Sequence, residues 1–465
     1  MVRGMSFAPS DDPARAGGPG PRLVLRNVAL AGGGTADVAV VDQRIVAVAP
    51  ALPDLLPGAE IIDGRGGLLL PGLQDHHLHI LALAARRVSV DLAGLIDPSA
   101  IRARLAAAPG RIVRAVGYDE RAAGLPDAAL LDTWLPDRPL RLQDRTGALW
   151  VLNSQALALL GGRLLPPGAE RDANGTSNGR FWREDRWLGA AFPRANLDLA
   201  GLGRELAALG LTALTDAGAH NGPEEAATLG GASLPQRLTL MGSEALGPGA
   251  GYALGPLKLL LDERDPPAVE ALAGRIAAAR AQGRGVAAHC VTEGELAIYL
   301  GALDLAGGAR PEDRIEHGGM IPESFIPIIA RAGLTVATNP AFLHDRGDRY
   351  HDQIADRADL YRIASLLKAG IVLKAGSDAP YASVDPWLGM RSARDRLSAG
   401  GVALSAGERI EAVTALALYG DAVIAPGGVA DLVLCHGGKT EVMGDLDAGR
   451  VRLTVIGGRV VHGRN

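Results

Sequence analysis

The stretch LLLPGLQDHHLHI, Leu68 to Ile80, decides the reading of this chain. Leu68-Leu69-Leu70 reads as a buried strand, and Pro71-Gly72 bends it. The chain then delivers Asp75, His76, His77 and His79 in quick succession. Alternate side chains of an extended strand point to one face, so the spacing of His77 and His79 aims two imidazoles at one point. That arrangement suits a first-row metal ion. A polar turn that happens to be rich in histidine is the plainer reading. With only 10 His in 465 residues, three of them between positions 76 and 79 argue against it.

Working outward, the two ends share one texture. RLVLRNVAL (Arg22 to Leu30) alternates like a strand, and further short strands with Gly turns follow it. ADLVLCHG, VRLTVIGG and RVVHG, from Ala430 to Gly463, are built the same way. Left apart, the two ends would expose strand edges. Residues 22–67 and 425–465 are therefore expected to pair into one composite domain, a small antiparallel sheet, with the rest of the chain inserted between them.

From Gly210 the pattern becomes strand, loop, helix, repeated, which predicts a parallel sheet. Leu68, Leu211, Arg237, Leu257, Val286, Arg314, Thr335 and Ile371 mark eight strands. Eight such units predict a closed (β/α)8 TIM barrel over residues 68–424. An open doubly wound sheet is the alternative, but no glycine-rich phosphate loop follows the first strand here. Residues 85–200 exceed any barrel loop and predict an inserted lobe over the active site, between barrel strands one and two. Residues 1–21, rich in Gly, Pro and Ala, read as a disordered leader.

The polar residues that end these strands are His77, His79, Lys258, His289, His317 and Asp378. That is the barrel end where chemistry is done. Imidazole and carboxylate suit zinc or a similar divalent ion. One ion needs only three of these groups plus water, whereas two ions need a shared bridge. Lys258 fits such a bridge as a carbamate, formed when its neutral amine adds carbon dioxide. A salt-bridged lysine is the alternative. Metal binding lowers the pKa of water toward about 7, and Asp378 is placed to take the proton and return it to a leaving nitrogen.

The motifs PGLQDHHLH, Lys258 in GPLKLLLDE, His289 in AAHC, RIEHGG and AGSDAP occur in that order. Together they resemble the metal-dependent amidohydrolase superfamily, and the insert resembles its branch containing N-substituted formamide deformylase. The resemblance covers essentially the whole chain after the leader. It implies a TIM barrel with a small β-sandwich made from both termini. It also implies His77 and His79 on one metal, His289 and His317 on the other, a carboxylated Lys258 between them, and Asp378 as ligand and acid/base. RAVGYDE resembles that branch's Gly-Trp-Asp segment, with Tyr118 in place of Trp, and DAGAH (Asp216 to His220) resembles its Asp-Ala-Gly turn. The chain departs from the branch at DRTGAL before VLNS, where Asp144 and Ala148 take histidine places. It departs again at Glu293, where the branch has Asp, and at Asn339, where it has Gln. Tyr118, Asp119, Asp144, Arg145, Glu293 and Asn339 are the candidate substrate-binding residues, and the charges of Asp144 and Arg145 suggest a polar or zwitterionic substrate.

Composition limits the other classes. Hydrophobic content of 48% and charged content of 21% describe a globular protein with a large core. A net charge of −5 without long charge runs recruits neither nucleic acid nor an anionic membrane. Two cysteines, Cys290 and Cys435, fit a reducing, cytoplasmic setting. The expected partner is a small molecule, with a homodimer left open. Three functions stand: hydrolysis of an amide or other C–N bond at a two-metal centre, deamination of a heterocycle at one metal, and a non-catalytic metal scaffold. Metal analysis separates the first two. Two ions per chain with a bicarbonate requirement favour hydrolysis, and one ion favours deamination.

Overall fold

The structure is a computed structural model that describes residues 20–53, 56–193, 195–420 and 422–463. Of the expected leader, residues 1–19 lie outside the described residues. The chain divides into two compact units. Among the described residues, one spans 20–79, 199–378 and 382–463, and the other spans 80–198 and 379–381.

The first unit holds the barrel. Its strands are β1 (Leu73–Leu78), β2 (Leu211–Asp216), β3 (Arg237–Gly242), β4 (Ala253–Leu259), β5 (Val286–Cys290), β6 (Arg314–His317), β7 (Thr335–Thr338) and β8 (Leu373–Ala375). They lie in sequence order in one parallel sheet, as the alternating pattern predicts. The strands are almost wholly buried, which is why they read as apolar runs rather than alternating ones.

The seam between β8 and β1 is closed just past the end of β8. Asp378 N donates to His77 O at 2.7 Å, and Ser377 N donates to Asp75 Oδ1 at 3.0 Å. Gly376 makes this approach feasible, because a Cβ there would lie 2.4 Å from His77 N.

The same unit carries a second sheet, also of eight strands, built from both ends of the chain; it is mixed rather than antiparallel as expected, because Arg22–Leu30 also pairs in parallel with Glu60–Asp63. The run Leu68–Leu70, expected to open the barrel, belongs to this sheet instead. Leu68–Pro71 pairs in parallel with Ala29 and Leu30 and antiparallel with Leu432–Leu434. It is therefore the strand that joins the two termini. The bend at Pro71-Gly72 passes the chain from this sheet into β1, so the first barrel strand starts at Leu73. Likewise β8 starts at Leu373 rather than Ile371. Leu23, Leu25, Val38, Leu69, Leu432 and Leu453 form the core of the terminal sheet.

The second unit has its own six-stranded sheet, with Val90–Asp91, Val113–Tyr118, Leu140–Asp144, Leu149–Leu152, Ser177–Trp182 and Ala169–Arg171 in spatial order. Apolar clusters flank it, one around Leu131, Leu142 and Val151 and one around Trp150, Phe181 and Leu188. Buried Asn153 ties the sheet to its loops. Its Oδ1 accepts from Leu140 N and Ala156 N, and its Nδ2 donates to Leu135 O and Arg138 O. Among the described residues, no helix is long and apolar enough to cross a membrane.

Gly376→Ala is expected to cost about 1–3 kcal/mol of stability by overpacking the seam and to weaken metal retention by displacing His77. Chemical denaturation and metal content measured on one preparation check this; unchanged values in both would refute the tight approach.

Candidate metal centre

β1 delivers His77, buried at its end, and His79 one residue beyond the strand. β6 ends at His317, and Asp378 follows β8. The Asp378 carboxylate is where these elements meet. Its Oδ1 lies 3.2 Å from His79 Nε2 and 3.5 Å from His77 Nε2, and its Oδ2 lies 3.9 Å from His317 Nδ1. Ligand atoms of His77, His317 and Asp378 all fall within 4.8 Å of one another. The His289 ring, from β5, sits 4.5 Å from the His317 ring, centroid to centroid. His77 and His317 rings are 4.6 Å apart, and His77 and His79 rings 5.6 Å.

The backbone is bent to achieve this. His317 (φ 67°) and Asp378 (φ 57°) both occupy the left-handed region. That conformation costs a non-glycine residue about 1–2 kcal/mol. Strain of this kind persists where surrounding structure enforces it, and it clusters at functional sites.

Two neighbours orient the imidazoles. Asn339 Nδ2 donates to Gly376 O at 3.0 Å, which turns its Oδ1 toward His317 Nδ1, 2.8 Å away. His317 Nδ1 is therefore the donor, and its Nε2 carries the lone pair. His77 Nδ1 likewise donates to the buried Glu316 carboxylate. Glu316 also accepts from Arg314 Nε at 2.7 Å and Arg314 Nη2 at 3.1 Å. A carboxylate behind a ligand histidine fixes its tautomer and raises its basicity. Burial, then the charges of Arg314 and Lys258, act on Glu316 in opposite directions, and the cations win, holding it below the ordinary range.

Protonation follows from burial. His77 and His317 are pushed well down by burial, with Lys258 and neighbouring histidines adding to the effect, so both rings are neutral. Lys258, on β4, is 3% exposed, and its Nζ lies 3.9 Å from Glu316 Oε2. Burial lowers its pKa as well.

The donor set fits a divalent cation. His77 Nε2 and Lys258 Nζ are buried without a hydrogen-bond partner, and Asp378 Oδ1 has only the His79 ring, 3.2 Å away. Buried polar atoms so poorly paired are costly, and a cation held by these groups would satisfy them. His77, His289, His317 and Asp378 suit such an ion as they stand, and His79, raised by its hydrogen bond to Asp378 against the effect of burial, suits it once its ring is neutral. Lys258 suits it only without its proton.

The candidate substrate residues fall into two groups. Asn339 belongs to the centre through His317. Glu293 is exposed at the start of helix Glu293–Leu305. The other four lie in the second unit. Tyr118 Oη donates to Gly124 O, Asp119 pairs with Arg121, and Arg145 pairs with Glu120. Asp144 caps its own turn through Thr146 N and Leu149 N. Sequence reasoning passed over Glu316 and Arg314, although a carboxylate between Ile315 and His317 in an apolar strand signals a buried partner.

Glu316→Gln is expected to weaken metal affinity by about 10- to 100-fold while the fold persists. Competition with a chelator measures this, and unchanged affinity would remove Glu316 from the site.

Comparison with known proteins agrees with this geometry. Residues 60–462 match the model of the amidohydrolase family. A curated relative, YtcJ of Bacillus subtilis (strain 168), whose name places it among the amidohydrolases, is 25% identical, with 87% of this chain and 91% of that protein covered. The crystal structure of an uncharacterized metal-dependent hydrolase from Pyrococcus horikoshii OT3 shares the fold with a TM-score of 0.72 at 19% identity, covering 95% of this chain and all of that one. N-isopropylammelide isopropylaminohydrolase from Burkholderia multivorans ATCC 17616 shares it with a TM-score of 0.55 at 18% identity, covering 95% and 98%. The chain belongs to the amidohydrolase family.

Proposed function

We propose that this protein hydrolyses an amide or related C–N bond of a small molecule, with Asp378 as the proton carrier. The observation that supports this most is the position of the Asp378 carboxylate, with one oxygen near His77 and His79 and the other near His317. A carboxylate so placed serves as ligand and as base at once. His77, His79, His289, His317 and Asp378 would hold the ion or ions, with Lys258 as the bridge. A divalent cation bound there supplies a Lewis acid that acidifies water and polarises the scissile carbonyl. Asp378 takes the proton of the attacking water and passes it to the leaving nitrogen, so the product departs as a neutral amine.

Lys258 enters through its depressed pKa. The neutral amine adds carbon dioxide, forming an N–C bond and releasing one proton, which leaves a carbamate anion. That converts a repelled cation into a two-oxygen ligand. Glu316 stays on His77, and Asn339 stays on His317, each keeping a ring nitrogen aimed inward. The sequence resemblance to the N-substituted formamide deformylase branch makes N-formyl and N-acyl compounds the first substrates to try.

A second reading is deamination at a single ion. It is favoured by the trio His77, His317 and Asp378, which by itself offers enough ligands for one cation.

Metal-loaded protein prepared with bicarbonate is expected to release amine from a member of an N-formyl and N-acyl library. Asp378→Asn is expected to lower kcat by about 10²- to 10⁴-fold. Release of ammonia from heterocycles alone would favour the second reading, and full activity of Asp378→Asn would refute both.

A further inference from the structure

We infer that the second unit carries a binding site for a small oxyanion, a carboxylate or phosphate group, built on Arg141 and Arg114. The inference goes beyond the hydrolytic reading and stands without it.

The two arginines lie side by side by construction. Strands Val113–Tyr118 and Leu140–Asp144 pair in parallel, and Arg114 is the register partner of Arg141. Register partners on neighbouring strands project from the same face of the sheet. Trp150 lies on this face too: the guanidinium carbons of Arg114 and Arg141 are each 4.9 Å from its ring centroid. Phe192 covers Arg141 at 4.4 Å.

Arg141 is only 8% exposed. Its Nε is enclosed with no hydrogen-bond partner, and among the described residues no carboxylate lies within ion-pair distance of it. Arg114 is better served, donating to Ala85 O at 3.2 Å and to Ser89 Oγ. The neighbouring carboxylate is Asp185, whose Oδ1 is already engaged by Trp150 Nε1 at 2.7 Å and Gln143 Nε2 at 3.3 Å. Two guanidinium charges therefore share one carboxylate, and the unmet charge is positive.

Packing against aromatic rings does not balance this. A cation–π contact offsets part of the cost of burying the charge but leaves the N–H donors without hydrogen bonds. Burial, with the Arg114 charge behind it, lowers Arg141 to about 10, so the cation is held against its environment and still persists at neutral pH. A guanidinium presents paired N–H donors that match the two oxygens of a carboxylate or phosphate. An oxyanion at Arg141 would satisfy the donors and complete the charge balance together. A wholly structural arginine in this place would be expected to bond backbone carbonyls, as buried Arg396 does with Leu360 O, Tyr361 O and Leu404 O.

The test is calorimetric titration of full-length, metal-loaded protein with sodium acetate and, separately, sodium phosphate at constant ionic strength. Saturable binding of at least one anion is expected, and the tighter of the two assigns the ligand class. Arg141→Met and Arg114→Met are each expected to weaken it by about 10- to 100-fold. Absence of saturable binding of both anions, or unchanged affinity in Arg141→Met, overturns the site. Should the variants fail to fold, hydrogen exchange of the wild type decides. Anion-dependent protection of residues 140–152 supports the site, and identical exchange with and without anion overturns it.

Discussion

The carboxylate of Asp75 holds the barrel and its metal centre in one frame. Its Oδ1 accepts from His77 N and from Ser377 N, both at 3.0 Å, so a single oxygen ties the first strand to the segment after the last. The group is 1% exposed, and burial drives its pKa up to about 7. Such a carboxylate is retained in an apolar interior only while backbone donors satisfy it. The donors here belong to a ligand histidine and to the residue beside Asp378. Closing the barrel and bringing the ligands together are therefore one event. Gly376 completes the arrangement by leaving no side chain between the two segments.

Around that frame, the centre is arranged from behind. Glu316 and Asn339 each hold the Nδ1 of one histidine, which fixes where the other nitrogen points. The positive φ at His317 and Asp378 turns the chain sharply at two strand ends. Burial keeps His77 and His317 neutral and lowers Lys258, so these three side chains are disposed to lose their protons, whereas at His79 the opposing effect of burial is overcome by the hydrogen bond to Asp378, which raises it. A centre organised in this way is costly in the absence of a bound ion, since His77 Nε2 and Lys258 Nζ make no hydrogen bond.

Much of this was legible in the sequence because it rests on short-range pattern. Alternating strands and helices gave the barrel, and polar residues ending apolar strands gave the six candidate ligands. What pattern cannot give is the partner of a run. Leu68–Leu70 is apolar on both faces and fits either sheet; pairing with Leu432–Leu434, more than three hundred residues away, decides the matter. Tyr118, Asp119, Asp144 and Arg145 follow strand-like runs in the same way as the ligands do, yet each has a partner within its own unit. Glu316 and Arg141 were passed over for the opposite reason. A charged residue inside a strand is ordinarily read as facing solvent; apolar neighbours hint otherwise, and the fold shows that both are buried.

The most direct measurement is anomalous diffraction from crystals of the metal-loaded protein, collected on both sides of the metal's absorption edge. A difference peak is expected among His77, His79, His289, His317 and Asp378, with metal–ligand distances of about 2.0–2.2 Å. A peak elsewhere in the molecule, with these side chains unliganded, would contradict a shared centre.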